Sequence, residues 1–117
     1  MTYMLLIVEP RGQRQTRSPD EGKAVYERMV QFGADLQSRG VLKGVQSLAS
    51  DSAATRVAMR AGKRTFVDGP FSEAKEMIGG FFLLDCATKD EAIAIAAQCP
   101  ALEWATVEVR ETGPCFM

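Results

Sequence analysis

The chain has 117 residues, with 14 Lys and Arg against 15 Asp and Glu, a formal charge of -1 and 46% hydrophobic content. These are the proportions of one globular domain, spanning 1–117, with no field to attract nucleic acid or an anionic membrane. Histidine is absent, which excludes imidazole bases, Ser-His or Cys-His pairs and histidine-ligated metals, and leaves acid–base work to Asp, Glu, Lys, Tyr or Cys.

Tyr3 to Val8, YMLLIV, is a continuous apolar run of strand length, the pattern of a strand covered on both faces. It is too short for a signal-peptide core and lacks a basic flank, and no segment is long enough to span a membrane. A cytoplasmic location is expected. The polar loop EPRGQRQTR follows, and then SPDE (Ser18–Glu21) reads as a capping box with Pro19 at the first helical position. Val25, Met29, Phe32 and Leu36 make one apolar stripe of a helix that Gly40 ends.

Leu42–Ala49 predicts a second strand. TRVAMR and RTFVDG flank Ala61-Gly62-Lys63, a hairpin whose glycine supplies a positive φ. Met77–Cys86, MIGGFFLLDC, is a second nearly unbroken apolar strand. TKDE (Thr88–Glu91) caps another helix with Ala92, Ile95, Ala96 and Cys99 on one side and Pro100 after it. Val107 and Val109 alternate with Glu108 and Arg110 in a closing strand with one wet face. Cys86, Cys99 and Cys115 are odd in number and show no C-x-x-C spacing, as free thiols in a reducing compartment would.

The order β-α-β, inserted hairpin, β-α-β is the α+β, ferredoxin-like split βαβ plan. The two doubly apolar strands belong at its centre, and both helices belong on one face. The other face is then apolar and uncovered. A second copy packed sheet on sheet is the simplest cover, so a homodimer is expected, with a small-molecule cleft lined by sheet and hairpin residues.

YMLLIV, DGPFSEAKEMIGGFFLLD, TKDEA and VEVR together resemble the DGPF branch of the YCII-related proteins. The resemblance implies a dimeric α/β barrel of ferredoxin-like protomers. The YCII branch carries a His on the first helix and an Asp before a Pro after the second, regarded as a catalytic pair. One member is associated with removing chloride from a chlorinated hydroquinone. Here the first helix has no His and Cys99 precedes Pro100, so neither member of that pair carries over.

In DGPFSEAKE, Gly69-Pro70 sets a turn and Ser72 can cap a short helical turn. Asp68, Glu73, Lys75 and Glu76 are the candidate ligand-binding residues. Lys75 between carboxylates can bind an anion or hold one carboxylate ready as a base. The alternative is a self-capping Asp68 and exposed ion pairs of little energetic weight. Arg11, Arg14 and Arg17 precede a helix N-terminus and offer an anion site, or else a solvated loop beside Glu9, Asp20 and Glu21. That loop is expected at the opposite end of the sheet from the start of the Ile78 strand. Gly79-Gly80 reads as a bulge or a close backbone approach. Two functions stay open: a small-molecule-binding module, or a cofactor-free lyase-type enzyme using Asp68, Glu73 or Glu76 as base and Lys75 as electrostatic partner. Nothing in the residues suggests a metal, nucleotide or flavin cofactor.

Overall fold

The computed structural model describes residues 1–116. Its main sheet has four strands: β1 (Thr2–Pro10), β2 (Leu42–Ser47), β5 (Glu76–Asp85) and β6 (Thr106–Glu111). Their spatial order is β2-β5-β1-β6 and every neighbour is antiparallel. The two apolar runs therefore occupy the centre, where both edges of each strand are paired. The architecture is α+β, consistent with a ferredoxin-like fold.

Helices α1 (Pro19–Ser38) and α2 (Lys89–Ala96) pack on one face. Ser18 and Glu21 form the reciprocal capping box, each side chain accepting the other's backbone N–H. At α2 only half of that arrangement forms. Thr88 accepts from the Glu91 N–H, while the Glu91 carboxylate takes the Ala87 N–H instead. Gly40, at φ +74°, leaves α1 through the left-handed region.

Strand alternation partitions β1 cleanly. Tyr3, Leu5 and Ile7 are buried beneath the helices with Phe32, Leu36, Phe82, Leu84, Ala92 and Ile95. Phe32 and Phe82 meet edge to face, with ring centroids 5.3 Å apart. Met4, Leu6 and Val8 project from the opposite face. Phe81 and Leu83 share that face, with Glu108 in register beside Leu6 and Arg110 beside Met4. No helix covers this apolar row, and all five apolar residues are half-buried.

The predicted hairpin forms β3 (Thr55–Arg60) and β4 (Lys63–Asp68), a sheet of its own. Its two-residue turn puts both Ala61 (φ +49°) and Gly62 (φ +77°) in the left-handed region, as a primed turn requires. The hairpin stands away from the core, and Phe66 is 68% exposed. It stretches the radius of gyration to 16.1 Å, where a compact chain of this length would have about 13 Å.

Among the boundaries that differ from expectation, two flank the hairpin. The second strand ends at Ser47 rather than Ala49, because the Leu48 N–H bonds the Gly79 carbonyl as the chain turns away. Ser72 caps no helix: the Ala74 N–H closes a single tight turn onto the Phe71 carbonyl, and Glu76 already belongs to β5. Among the described residues, no helix is long and apolar enough to cross a membrane.

Candidate ligand-binding site

A cavity of about 810 Å³ opens between α1 and the helix-facing side of β1, β5 and β2. Its walls are apolar, formed by Val25 and Met29 from α1, Leu42 and Val45 from β2, and Phe82 from β5, with Trp104 at one side. The volume lies within the usual range for small-molecule sites, roughly 300–1,000 Å³. Where α1 crosses the sheet, Gly33 packs on Phe82, and a Cβ there would lie at ordinary van der Waals distance, 3.5 Å from the ring.

Glu9 and Arg14 form the polar end. Glu9, at the end of β1, is 6% exposed and is the only buried charged residue among those described. The Arg14 Nε donates to Glu9 Oε1 at 2.6 Å, and Nη1 donates to the Leu48 carbonyl at 2.9 Å. A buried carboxylate is tolerable only with such a partner, because desolvating it alone costs several kcal/mol. Glu9 Oε2 and Arg14 Nη2 have no hydrogen-bond partner among the described residues, and no fully buried side-chain polar atom is left unpaired. Both atoms are therefore accessible, on residues that line the cavity.

The two glycines of β5 make this end possible. A Cβ on Gly79 would collide with Glu9 Oε2 and lie 3.1 Å from Arg14 Nη2. A Cβ on Gly80 would lie 2.6 Å from the Gln46 carbonyl oxygen of β2. The register between β1 and β5 shifts at Ile7/Val8, opposite this pair. The expected bulge and close approach are thus both present, and the approach is within one chain.

The loop Arg11–Arg17 does not lie at the far end of the sheet from the start of the Ile78 strand, and that expectation is corrected. Because β1 runs antiparallel to β5, the end of β1 is the start of β5. Glu9 pairs with Met77, Pro10 with Glu76, and the Arg11 N–H bonds the Lys75 carbonyl. The arginines themselves disperse. Arg11 pairs with Asp51, Arg14 with Glu9, and Arg17 lies 5.7 Å over the Trp104 ring while donating to Gln13.

Asp68, Glu73, Lys75 and Glu76 are all exposed, and none of them borders this cavity. Asp68 accepts from the Thr55 hydroxyl across the base of the hairpin, 2.8 Å away. Glu73 accepts from Arg56, whose guanidinium lies 3.7 Å over the Phe71 ring. The Glu73 carboxyl is held below the usual range by a hydrogen bond from its own backbone N–H and by Arg56. Glu76 joins Asp51, Arg56, Phe71 and Ile78 around a shallower hollow at the hairpin base. There Arg11 holds the Asp51 carboxyl below its ordinary range.

The motif surrounding these residues works as a clasp. The Gly69 N–H bonds the Ala54 carbonyl at 2.8 Å, and a Cβ at Gly69 would run into the backbone of Asp51. DGPF thereby ties the hairpin to the loop after β2. Sequence reasoning passed over Glu9 as a neutralising neighbour of arginines. Its signal was present: a carboxylate one position beyond an apolar strand, in phase with the buried Tyr3, Leu5 and Ile7.

The YCII-related domain matches residues 1–114. The chain belongs to the YCII-related family. The uncharacterized protein R00369 of Rhizobium meliloti (strain 1021) is 32% identical to it over 96 residues, 82% of this chain and 77% of that protein. Among solved structures, this YCII-related chain resembles the 5-chloro-2-hydroxyhydroquinone dehydrochlorinase TftG of Burkholderia phenoliruptrix AC1100, in complex with 2,5-dihydroxybenzoquinone. The TM-score is 0.55 at 15% identity, covering 97% of this chain and 94% of that one. At that identity the likeness speaks to the fold.

Proposed function

We propose that this YCII-related protein, of the DGPF branch by its D-G-P-F motif, binds a small and largely apolar molecule in the cavity under α1. The observation that carries the reading is the pairing of an apolar chamber with one buried, half-engaged ion pair at its end. That is the composition of a ligand site: apolar walls for affinity and a few convergent polar groups for orientation. This places the ligand on the helix side of the sheet, whereas the sequence pointed to a cleft between two sheets.

A second reading, a cofactor-free lyase-type enzyme, draws support from the dehydrochlorinase activity of the structurally similar TftG. In that reading Glu9 is the better-placed base, since it is buried beside the cavity and the DGPFSEAKE carboxylates are not. A role for Asp68, Glu73, Lys75 or Glu76 in ligand binding would require a second copy to enclose the hairpin base. We also propose such a copy, packed through Met4, Leu6, Val8, Phe81 and Leu83, because that row has no cover within the chain.

The test is a small-molecule screen by amide NMR, followed by Val25→Trp to fill the chamber. Shifts gathered at α1, β2 and Trp104 that disappear in the variant are expected. Hits that map to the hairpin base and survive the substitution would move the site there.

A further inference from the structure

The unspent atoms of Glu9 and Arg14 specify more than a generic polar end. Arg14 has committed Nε and Nη1 to protein acceptors, and its Nη2 still donates. Glu9 has committed Oε1, and its Oε2 still accepts. Both lie within 3.1 Å of one point above Gly79, so a single atom on the cavity side of the pair can reach the acceptor and the donor together.

Resting on the cavity reading above, we propose that the ligand is an apolar molecule presenting one neutral hydroxyl to this pair of atoms. Its O–H donates to Glu9 Oε2 and its oxygen accepts from Arg14 Nη2. A hydroxyl oxygen is the smallest common group that does both at once. A carboxylate would set its charge against that of Glu9, and an ammonium would meet the Arg14 guanidinium, each in an apolar chamber that screens poorly. An ether accepts but cannot donate, which leaves Oε2 unsatisfied against buried apolar surface. The second cation at the cavity, Arg17, is turned to Trp104 and Gln13 and adds no free donor beside this pair.

A matched naphthalene series tests the proposal, with 2-naphthol, 2-methoxynaphthalene and 2-naphthoate titrated against the full chain by calorimetry and amide NMR. The expected result is that 2-naphthol binds in the cavity about tenfold or more tighter than either companion. In Glu9→Gln the advantage over the methyl ether shrinks, and 2-naphthoate gains relative to 2-naphthol as the repelling charge goes. Thermal melts and the amide spectrum of Glu9→Gln report separately that the variant is folded. Should the variant not fold, Arg14→Met is used, in which the hydroxyl and the ether lose the same donor and weaken together, the hydroxyl keeping its advantage; an ether that did not weaken would overturn the proposal. Equal affinity of 2-naphthol and its methyl ether in the unaltered chain, or a preference for 2-naphthoate, would overturn this proposal while leaving the cavity as a ligand site. Absence of shifts at the cavity with all three compounds would overturn both.

Discussion

Glu9 and Gly79 are two halves of one packing solution: the carboxylate lies where the glycine's Cβ would be, with Cδ only 3.0 Å from that point. Gly79→Ala must displace a buried, ion-paired side chain. We expect a loss of ~1–3 kcal/mol, the usual penalty of overpacking, measured by denaturant unfolding. The same change combined with Glu9→Ala is expected to cost less than the sum of the two, since the obstacle is gone. Strict additivity would mean the two residues are not coupled.

Gly69→Ala is expected to be worse than Gly79→Ala. Its Cβ meets the Asp51 backbone rather than a side chain that can swing aside. Soluble expression and thermal midpoint of the two variants, compared side by side, check the ranking. A Gly69→Ala protein as stable as the unaltered chain would remove the clasp from the account of DGPF.

The Arg11–Asp51 pair is mostly buried, whereas Arg28–Glu103 and Arg56–Glu73 are largely exposed. Asp51→Asn is therefore expected to destabilise more than Glu103→Gln or Glu73→Gln, whose exposed ion pairs carry little energetic weight. The sign with pH follows from the depressed Asp51 carboxyl, whose first cause is the Arg11 hydrogen bond. A carboxyl lowered on folding contributes stability above its unfolded range, near about 4, and that contribution is lost as pH falls through the folded value. The stability difference between the unaltered chain and Asp51→Asn should accordingly narrow in acid. A difference that widened in acid would contradict the assignment.

Leu6→Glu tests the proposed sheet-to-sheet copy. Leu6 lies at the centre of the uncovered row and points away from both helices, so the substitution should leave the protomer folded. Light scattering behind size exclusion is expected to give twice the protomer mass for the unaltered chain and the single mass for Leu6→Glu. A monomeric unaltered chain would end the proposal.

Thiol accessibility separates the three cysteines. Cys86 and Cys99 are buried, and burial raises both thiols, while Cys115 is exposed. Native alkylation by a maleimide is expected to stop at one equivalent on Cys115, read by mass spectrometry. Fast labelling of Cys99 would show that the turn following α2 opens readily.

The central strands, both helices and the hairpin were legible in the sequence because each rests on local chemistry. Doubly apolar runs make central strands, Ser18 and Glu21 cap a helix wherever they meet one, and Ala61-Gly62 turns a hairpin without outside help. The uncovered row followed from the same patterning, since alternation along Tyr3–Val8 assigns every side chain to a face. The site was not legible in this way. Glu9, Arg14, Leu48 and Gly79 are separated along the chain, and only the antiparallel pairing of β1 with β5 brings them together. Asp68 to Glu76 drew the eye as a dense charged motif. Sequence density is no measure of burial, and an exposed carboxylate differs from a buried one by what the rest of the fold places around it. The sequence determined which strands and helices exist and which faces they bury. Tertiary structure alone decided that one carboxylate, in phase with the core, would lie half-satisfied at the end of an apolar chamber, because burial and pairing depend on contacts between distant segments.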